Sequence, residues 1–405
     1  MELITCANGV RIAYEKVPAV RSASLGIWVA NGSRYESAAE NGISHFIEHM
    51  LFKGTPSRSA SDIAAQMDHL GGQFNAFTTK ENTTFYFRTL DEQLPAAIDV
   101  LGDMFFHSLF RDRDLALERT VVYEEIDMVE DTPDELAGDK LAGVAFDGSP
   151  LGFPIIGTRE TLAGMTGETL HRYMDAHYVP ANTVVSLAGS FDDAVLDRLC
   201  ALFGAMPASP APRAAAASYH AGESFTDKKI EQNHLCLGFP GIAADAPDRF
   251  EAQVFSNILG GGMSSRLFQR VREDAGLCYS IYTYQSSYAD TGLFGVYTAL
   301  SPSSMARAES LIREVIDEFL ENGPTEEEMA RTLGQIRSNL LMGLESTMSR
   351  SNRMGQSLLL LGRVPPLEET LERYHAVTRE GVLDFARRTC DYSRLSRAVV
   401  GKSHD

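Results

Sequence analysis

The sequence predicts an α+β protein of two similar domains that arose by internal duplication, each an antiparallel-rich sheet covered by helices. Three observations lead there. The chain is 405 residues long, too much for one ordinary core and enough for two domains of about 200 residues each. Segments of alternating polarity are interleaved with segments of helical periodicity. The order of those segments also recurs: laying Ser24 over His234, an offset of 210 residues, superimposes strand on strand and helix on helix.

Strand-like runs at 10–14 and 22–30 open the chain, separated by turn-forming residues. Helical patterns follow at 42–52 and 59–70. Gly71 and Gly72 lead into residues 73–90, alternating and rich in Phe, Tyr and Thr, whose break at 80–82 marks a hairpin. Long amphipathic helices are expected at 93–107 and 112–130, and a short buried strand at 183–188. Residues 206–217, MPASPAPRAAAA, read as an extended connector between a first domain at 1–205 and a second at 218–405. Beyond the connector the pattern returns. A strand at 234–238 precedes a helix at 250–259, Gly276 opens an alternating run at 278–300, and a helix follows at 304–320. Helical periodicity then runs through 325–361.

Composition bounds the function. Hydrophobic residues make up 44% and charged residues 22%, as in folded globular chains. The net charge of −19 and a single tryptophan, Trp28, argue against nucleic acid as a partner. The negative charge serves solubility, or lines a cavity that attracts basic peptides. Five scattered cysteines without a CxxC pair fit reduced thiols in a cytoplasmic protein. No apolar run reaches the ~18 residues of a membrane span, and the first residues lack a secretory pattern. A cytoplasmic protein with no membrane association is expected.

The chemistry concentrates in His45-Phe46-Ile47-Glu48-His49. Residues four apart on a helix lie one above the other, so both imidazoles project from one face with Glu48 on the same edge. Two such histidines can hold a zinc ion, and the carboxylate can take a proton from its water. Phe46, Met50 and Phe52 suit the opposite face, against a core. A catalytic zinc usually has a third protein ligand, and helix 112–130 offers Glu118, Glu124, Glu125 and Glu130. Glu118 and Glu125, seven apart, share a face, so periodicity leaves the choice open. Under the 210-residue offset, His45, Glu48 and His49 fall on Phe255, Ile258 and Leu259, so the second half carries no metal site of its own.

Several longer motifs occur in order: GSRYE, GISHFIEHMLFKGT, GGQFNAFTTKENTTFYF, ERTVVYEEIDM, HYVPANTVVSLAG and GGGMSSRLFQRVREDAGLCYS. With them the chain resembles the inverzincin peptidases, which include pitrilysin, insulysin and the processing peptidase β subunit of mitochondria, and most of all their short, single-unit bacterial members. The resemblance implies one zinc per chain, held by His45, His49 and Glu125, the last lying 76 residues beyond His49. It implies Glu48 as general base and Glu118 as a support that orients a ligand histidine. It further implies that Tyr279 donates to the developing oxyanion and that Arg272 bonds a substrate carbonyl. Asn75, Ala76 and Phe77 match a strand edge that pairs with substrate backbone. The Gly-rich stretch 260–267 lacks the lysine of a phosphate loop and reads as a tight structural turn.

The activity so implied is hydrolysis of internal bonds in unfolded peptides inside an enclosed chamber. A homodimer is expected, each zinc facing Arg272 and Tyr279 of the other protomer. The competing reading is a non-catalytic scaffold or partner subunit of the same family, whose members typically lose metal residues; here every position is filled. A zinc-storing protein fits less well, since two histidines and one glutamate leave an open coordination position.

Overall fold

A computed structural model describes residues 1–403 and divides the chain into two compact units. The first comprises Met1–Ile126, Phe153–Ala215 and Leu341–Val364; the second comprises Asp127–Gly152, Ala216–Leu340 and the chain from Pro365 onward. The chain crosses between them at 215/216, inside the irregular connector. Two segments depart from a contiguous division at 206–217: 127–152 pack in the second unit and 341–364 in the first.

In the first unit, strands β1 (Glu2–Thr5), β2 (Arg11–Lys16), β3 (Ser22–Val29), β4 (Gln73–Thr78), β5 (Thr83–Leu90) and β6 (Thr183–Gly189) form one sheet, ordered β1-β2-β6-β3-β5-β4. Only the β2–β6 pair is parallel. In the second unit, β7 (Glu223–Asp227), β8 (Asn233–Pro240), β9 (Cys278–Ser287), β10 (Gly292–Leu300) and β11 (Ser396–Gly401) are ordered β7-β11-β8-β10-β9, again with one parallel pair, β7–β11. The series β2-β6-β3-β5-β4 and β7-β11-β8-β10-β9 match strand for strand, which is the duplication expected from the sequence.

Burial along β3 explains the exchanged segments. Ala23, Leu25, Ile27 and Val29 enter the main core, while Trp28 faces the other way with Ala13, Val184 and Ala188. A strand buried on both faces needs two covers. The second cover is the helix Thr347–Leu361, which brings Met354 and Leu358 onto Trp28. It lies close because Gly355 has no side chain: a Cβ there would stand 2.1 Å from Trp28 Nε1. That indole donates to Ser186 Oγ (2.9 Å), which in turn meets Ser351 Oγ (2.8 Å). The second sheet is covered the same way by the helix Pro133–Ala145, whose Leu136, Ala137 and Leu141 pack on Cys236, Tyr297 and Ala398. Helical periodicity finds such helices but does not say which sheet they cover. The periodicity at 325–361 is also two helices, Glu326–Gly343 and Thr347–Leu361, the second started by Ser346, whose side chain accepts from the Ser349 amide.

Candidate metal centre

The helix α1 (Ile43–Met50) carries the first two candidate ligands. Ile43, Phe46, Ile47 and Met50 are almost fully buried, which fixes the roll of the helix and turns His45, Glu48 and His49 to its other edge. Its start is set by Gly42, at φ 93, where a Cβ would meet Gly157 at 2.8 Å. Glu36, 2% exposed, accepts from the amides of Gly42 (2.8 Å) and Ser44 (2.9 Å) and from Asn41 Nδ2 (3.0 Å). A buried carboxylate at a helix N-terminus satisfies orphan amides and the helix dipole together.

Helices α2 (Ala60–His69) and α3 (Leu94–His107) precede α4 (Asp112–Glu130), which presents Glu118 and Glu125 to α1. Phe110, just before α4, holds a left-handed φ of 42 with its ring buried. The two glutamates separate in role by their contacts. Glu118 is saturated: Oε1 lies 2.9 Å from His49 Nδ1 and Oε2 lies 2.5 Å from Lys53 Nζ. Glu125 Oε2 is buried without a hydrogen-bond partner, 3.4 Å from His49 Nε2 and 3.8 Å from His45 Nε2. One ligand atom from each of His45, His49 and Glu125 lies within 4.8 Å of the others. With bonds of about 2.0–2.2 Å, neighbouring ligands of a tetrahedral zinc stand roughly 3.3–3.6 Å apart. The donor set and its spacing therefore fit that ion.

The electrostatics agree with a ligand cluster. Burial and the neighbouring His49 push His45 down to about 4, which keeps it neutral and able to coordinate. Burial opposes charge on His49 as well, but the hydrogen bond to Glu118 and the nearby Glu125 carboxylate raise it to about 9, so a proton and a metal compete for its Nε2. Burial raises Glu48, opposed by Thr78, whose hydroxyl donates to Glu48 Oε2 at 2.6 Å. Thr78 ends β4, the edge strand of the first sheet. Asn75, Ala76 and Phe77 lie on that strand, whose one sheet neighbour is β5.

In the second unit, Arg272 lies on the π-helix Phe268–Asp274, a wide-turned form that recurs at functional sites. Its guanidinium stacks on the rings of Phe268 (4.4 Å) and Tyr279 (4.9 Å), and Tyr279 is 77% exposed. The counterparts of the α1 residues, Phe255, Ile258 and Leu259, are core. Three contributors escaped the sequence: Glu36, Lys53 and Thr78. All three lie within the quoted motifs, but their partners arise only on folding.

Residues 11–159 match the family described as insulinase (peptidase family M16), and residues 164–336 match the peptidase M16 inactive domain. A Bacillus subtilis protein named uncharacterized zinc protease YmxG is 43% identical, the match covering 96% of each chain. A Streptomyces coelicolor protein named uncharacterized zinc protease SCO5738 is 42% identical over 99% of this chain and 89% of its own. A crystal structure from Pseudomonas fluorescens, described as a peptidase M16 inactive domain, shares the fold at a TM-score of 0.93 and 20% identity, covering 100% of this chain and 98% of that one.

Proposed function

The chain belongs to the insulinase family of peptidases, M16, and we propose that it is a zinc-dependent endopeptidase acting on unfolded peptides. The observation that carries this is the buried, unpartnered Glu125 Oε2 facing two imidazole nitrogens, with the Glu48 carboxylate on the same helix edge. His45, His49 and Glu125 would hold the ion, which when bound polarises the scissile carbonyl and acidifies a water. Glu48 accepts that water's proton and returns it to the leaving amine. The Thr78 hydroxyl occupies Glu48 Oε2 and leaves Oε1 for the transfer. Burial raises Glu48, and a base nearer neutral pH both takes and gives a proton well. Glu118 holds His49 by its Nδ1–H, which keeps Nε2 as the coordinating atom.

Asn75, Ala76 and Phe77 pair with the backbone of an extended substrate, as an edge strand permits for varied sequences. Tyr279 donates to the oxyanion and Arg272 to a substrate carbonyl, both contributed by the other protomer of a homodimer that encloses the substrate. Support for this part is the family resemblance and the exposed Arg272–Tyr279 pair. The protein works in the cytoplasm; among the described residues no helix is long and apolar enough to cross a membrane.

Glu48→Gln tests the chemistry. It leaves the zinc content at one per chain and abolishes cleavage of a fluorogenic peptide. Full cleavage by this variant would sink the proposal, and a wild-type chain that binds zinc but cuts nothing would favour the scaffold reading. Mixing Glu48→Gln with Tyr279→Phe protomers tests the shared site: hybrids recover one working centre, whereas no recovery places both residues in one chain.

A further inference from the structure

The second unit holds a cavity of about 490 Å³ between the helices Glu326–Gly343 and Leu367–His375. Helical spacing accounts for its walls. Leu333, Gly334 and Arg337 share one face of the first helix, and Leu371, Tyr374 and His375 share one face of the second. Leu333 and the Tyr374 ring pack on the second core, the ring held edge-on against Phe250 at 4.9 Å. Two features of the cavity serve no purpose in the fold itself. Among the described residues, the side chains of Arg337, Tyr374 and His375 make no hydrogen bond or ion pair. Gly334 stands inside a helix, where glycine is less stable than alanine, and a Cβ there would meet nothing within 4 Å. Packing therefore does not demand the glycine, and what its missing side chain leaves is open cavity.

We propose that this cavity binds a free monocarboxylic acid with an apolar body, of the size of a medium-chain fatty acid. Its volume lies within the roughly 300–1,000 Å³ of small-molecule sites, which likewise join apolar walls to a few convergent polar groups. The carboxylate pairs with the Arg337 guanidinium, which is always charged and presents a planar fork to two oxygens. His375 and the Tyr374 hydroxyl add donors. Burial pushes that hydroxyl up, against the pull of Arg249, so it keeps its proton. The apolar body lies along Leu333, Leu371 and the gap left by Gly334. A peptide's carboxyl end is a poorer occupant, since its amide groups would meet a wall of leucine and glycine that offers them no partner. Glu372 also lines the cavity, about 100° around its helix from Leu371, and its charge opposes that of the ligand.

The test titrates octanoate, below its micellar concentration, into purified full-length protein by calorimetry. Octanoate binds at one site per chain and raises the melting temperature, while octanamide, of the same shape without the charge, binds about tenfold more weakly. Arg337→Gln weakens octanoate about five- to tenfold. Gly334→Phe places a ring in the gap and abolishes binding; should that variant fail to fold, Gly334→Ala, which adds one methyl to the same open space, binds more weakly than native. Glu372→Gln binds octanoate more tightly. No octanoate binding, equal affinity for octanamide, or native affinity in Arg337→Gln or in both Gly334 variants would overturn the proposal. Weaker binding by Glu372→Gln would assign the cavity to a ligand carrying an ammonium group, and binding of acetyl-leucyl-leucine in place of octanoate would assign it to a peptide end; either result overturns the free acid.

Discussion

Glu118→Gln tests whether a carboxylate outside the ligand set tunes the metal. In the native protein Glu118 takes the His49 Nδ1–H at 2.9 Å and the Lys53 ammonium at 2.5 Å. The amide keeps one oxygen for Nδ1–H, so the imidazole holds its tautomer and its direction. What disappears is the negative charge, which made Nε2 a stronger donor to the metal. Loss of such an outer partner weakens metal affinity by about 10–100-fold, or roughly 1.4–2.7 kcal/mol. The Lys53 side chain is 33% exposed and reaches water, so its lost pair adds at most about 1 kcal/mol to the destabilisation of the fold. Glu118→Ala goes further, since it leaves the Nδ1–H unpaired as well. Competition against a chromophoric chelator should rank zinc affinity as native, then Gln, then Ala. At saturating zinc the Gln variant should cleave peptide within a few-fold of native. Unchanged affinity would refute the reasoning, and so would a loss at saturating zinc as deep as that of Glu48→Gln.

Three further outcomes follow from the same structure. Thr78→Val removes the hydroxyl that orients Glu48 and should lower kcat about tenfold with zinc content unchanged, read by peptide assay and metal analysis. Gly355→Leu drives a side chain into Trp28 and should destabilise by about 3 kcal/mol in urea unfolding, whereas Gly334→Ala, on an open helical position, should stabilise by about 0.5–1 kcal/mol. Against the opposing effect of burial, hydrogen bonds from Thr55, Ser57 and Arg58 hold Asp103 below the usual carboxylate range. Its stabilising contribution is present above the unfolded carboxylate pKa and is lost as pH falls through the depressed value. The stability difference between native and Asp103→Asn should therefore shrink in acid, measured by melting across that range.

How much of this was legible depended on whether a contact is local. The histidine pair and Glu48 are set by helical spacing, and α4 runs over the residues its periodicity gives. The repeat offset puts Phe255, Ile258 and Leu259 where the first half has His45, Glu48 and His49, and folding buries all three in the core. Periodicity could not separate Glu118 from Glu125, because both point the same way. They differ only in what folding brings to them: Lys53 and His49 Nδ1 saturate one, and nothing saturates Oε2 of the other. Thr78 and Glu36 were illegible for the same reason, their partners lying on other elements. The exchanged helices at 133–145 and 347–361 were equally hidden, since an apolar stripe does not name the sheet that will cover it.

The two halves share a strand order, yet they spend buried charge very differently. Among the described residues, the buried charged side chains are Arg34, Glu36, Lys80, Glu81 and Glu118, and all belong to the first unit. Each is paired: Arg34 with Glu81 at 2.5 Å, Lys80 with the Phe153 carbonyl, Glu36 with the start of α1, Glu118 with His49 and Lys53. Desolvating a charge is unfavourable even when it is paired, and apolar replacements are often as stable. The second unit has no buried charged side chain among the described residues, and Phe255, Ile258 and Leu259 stand at the positions of His45, Glu48 and His49. Stability alone therefore does not require the charges of the first unit. They converge on α1, its supporting helix and the turn of the β4–β5 hairpin, where they fix the direction of His49, the entry of α1 and the edge strand that ends at Thr78. The two copies of the duplicated fold thus differ twice over: the first keeps the buried charges, and the second fills the positions of His45, Glu48 and His49 with Phe255, Ile258 and Leu259.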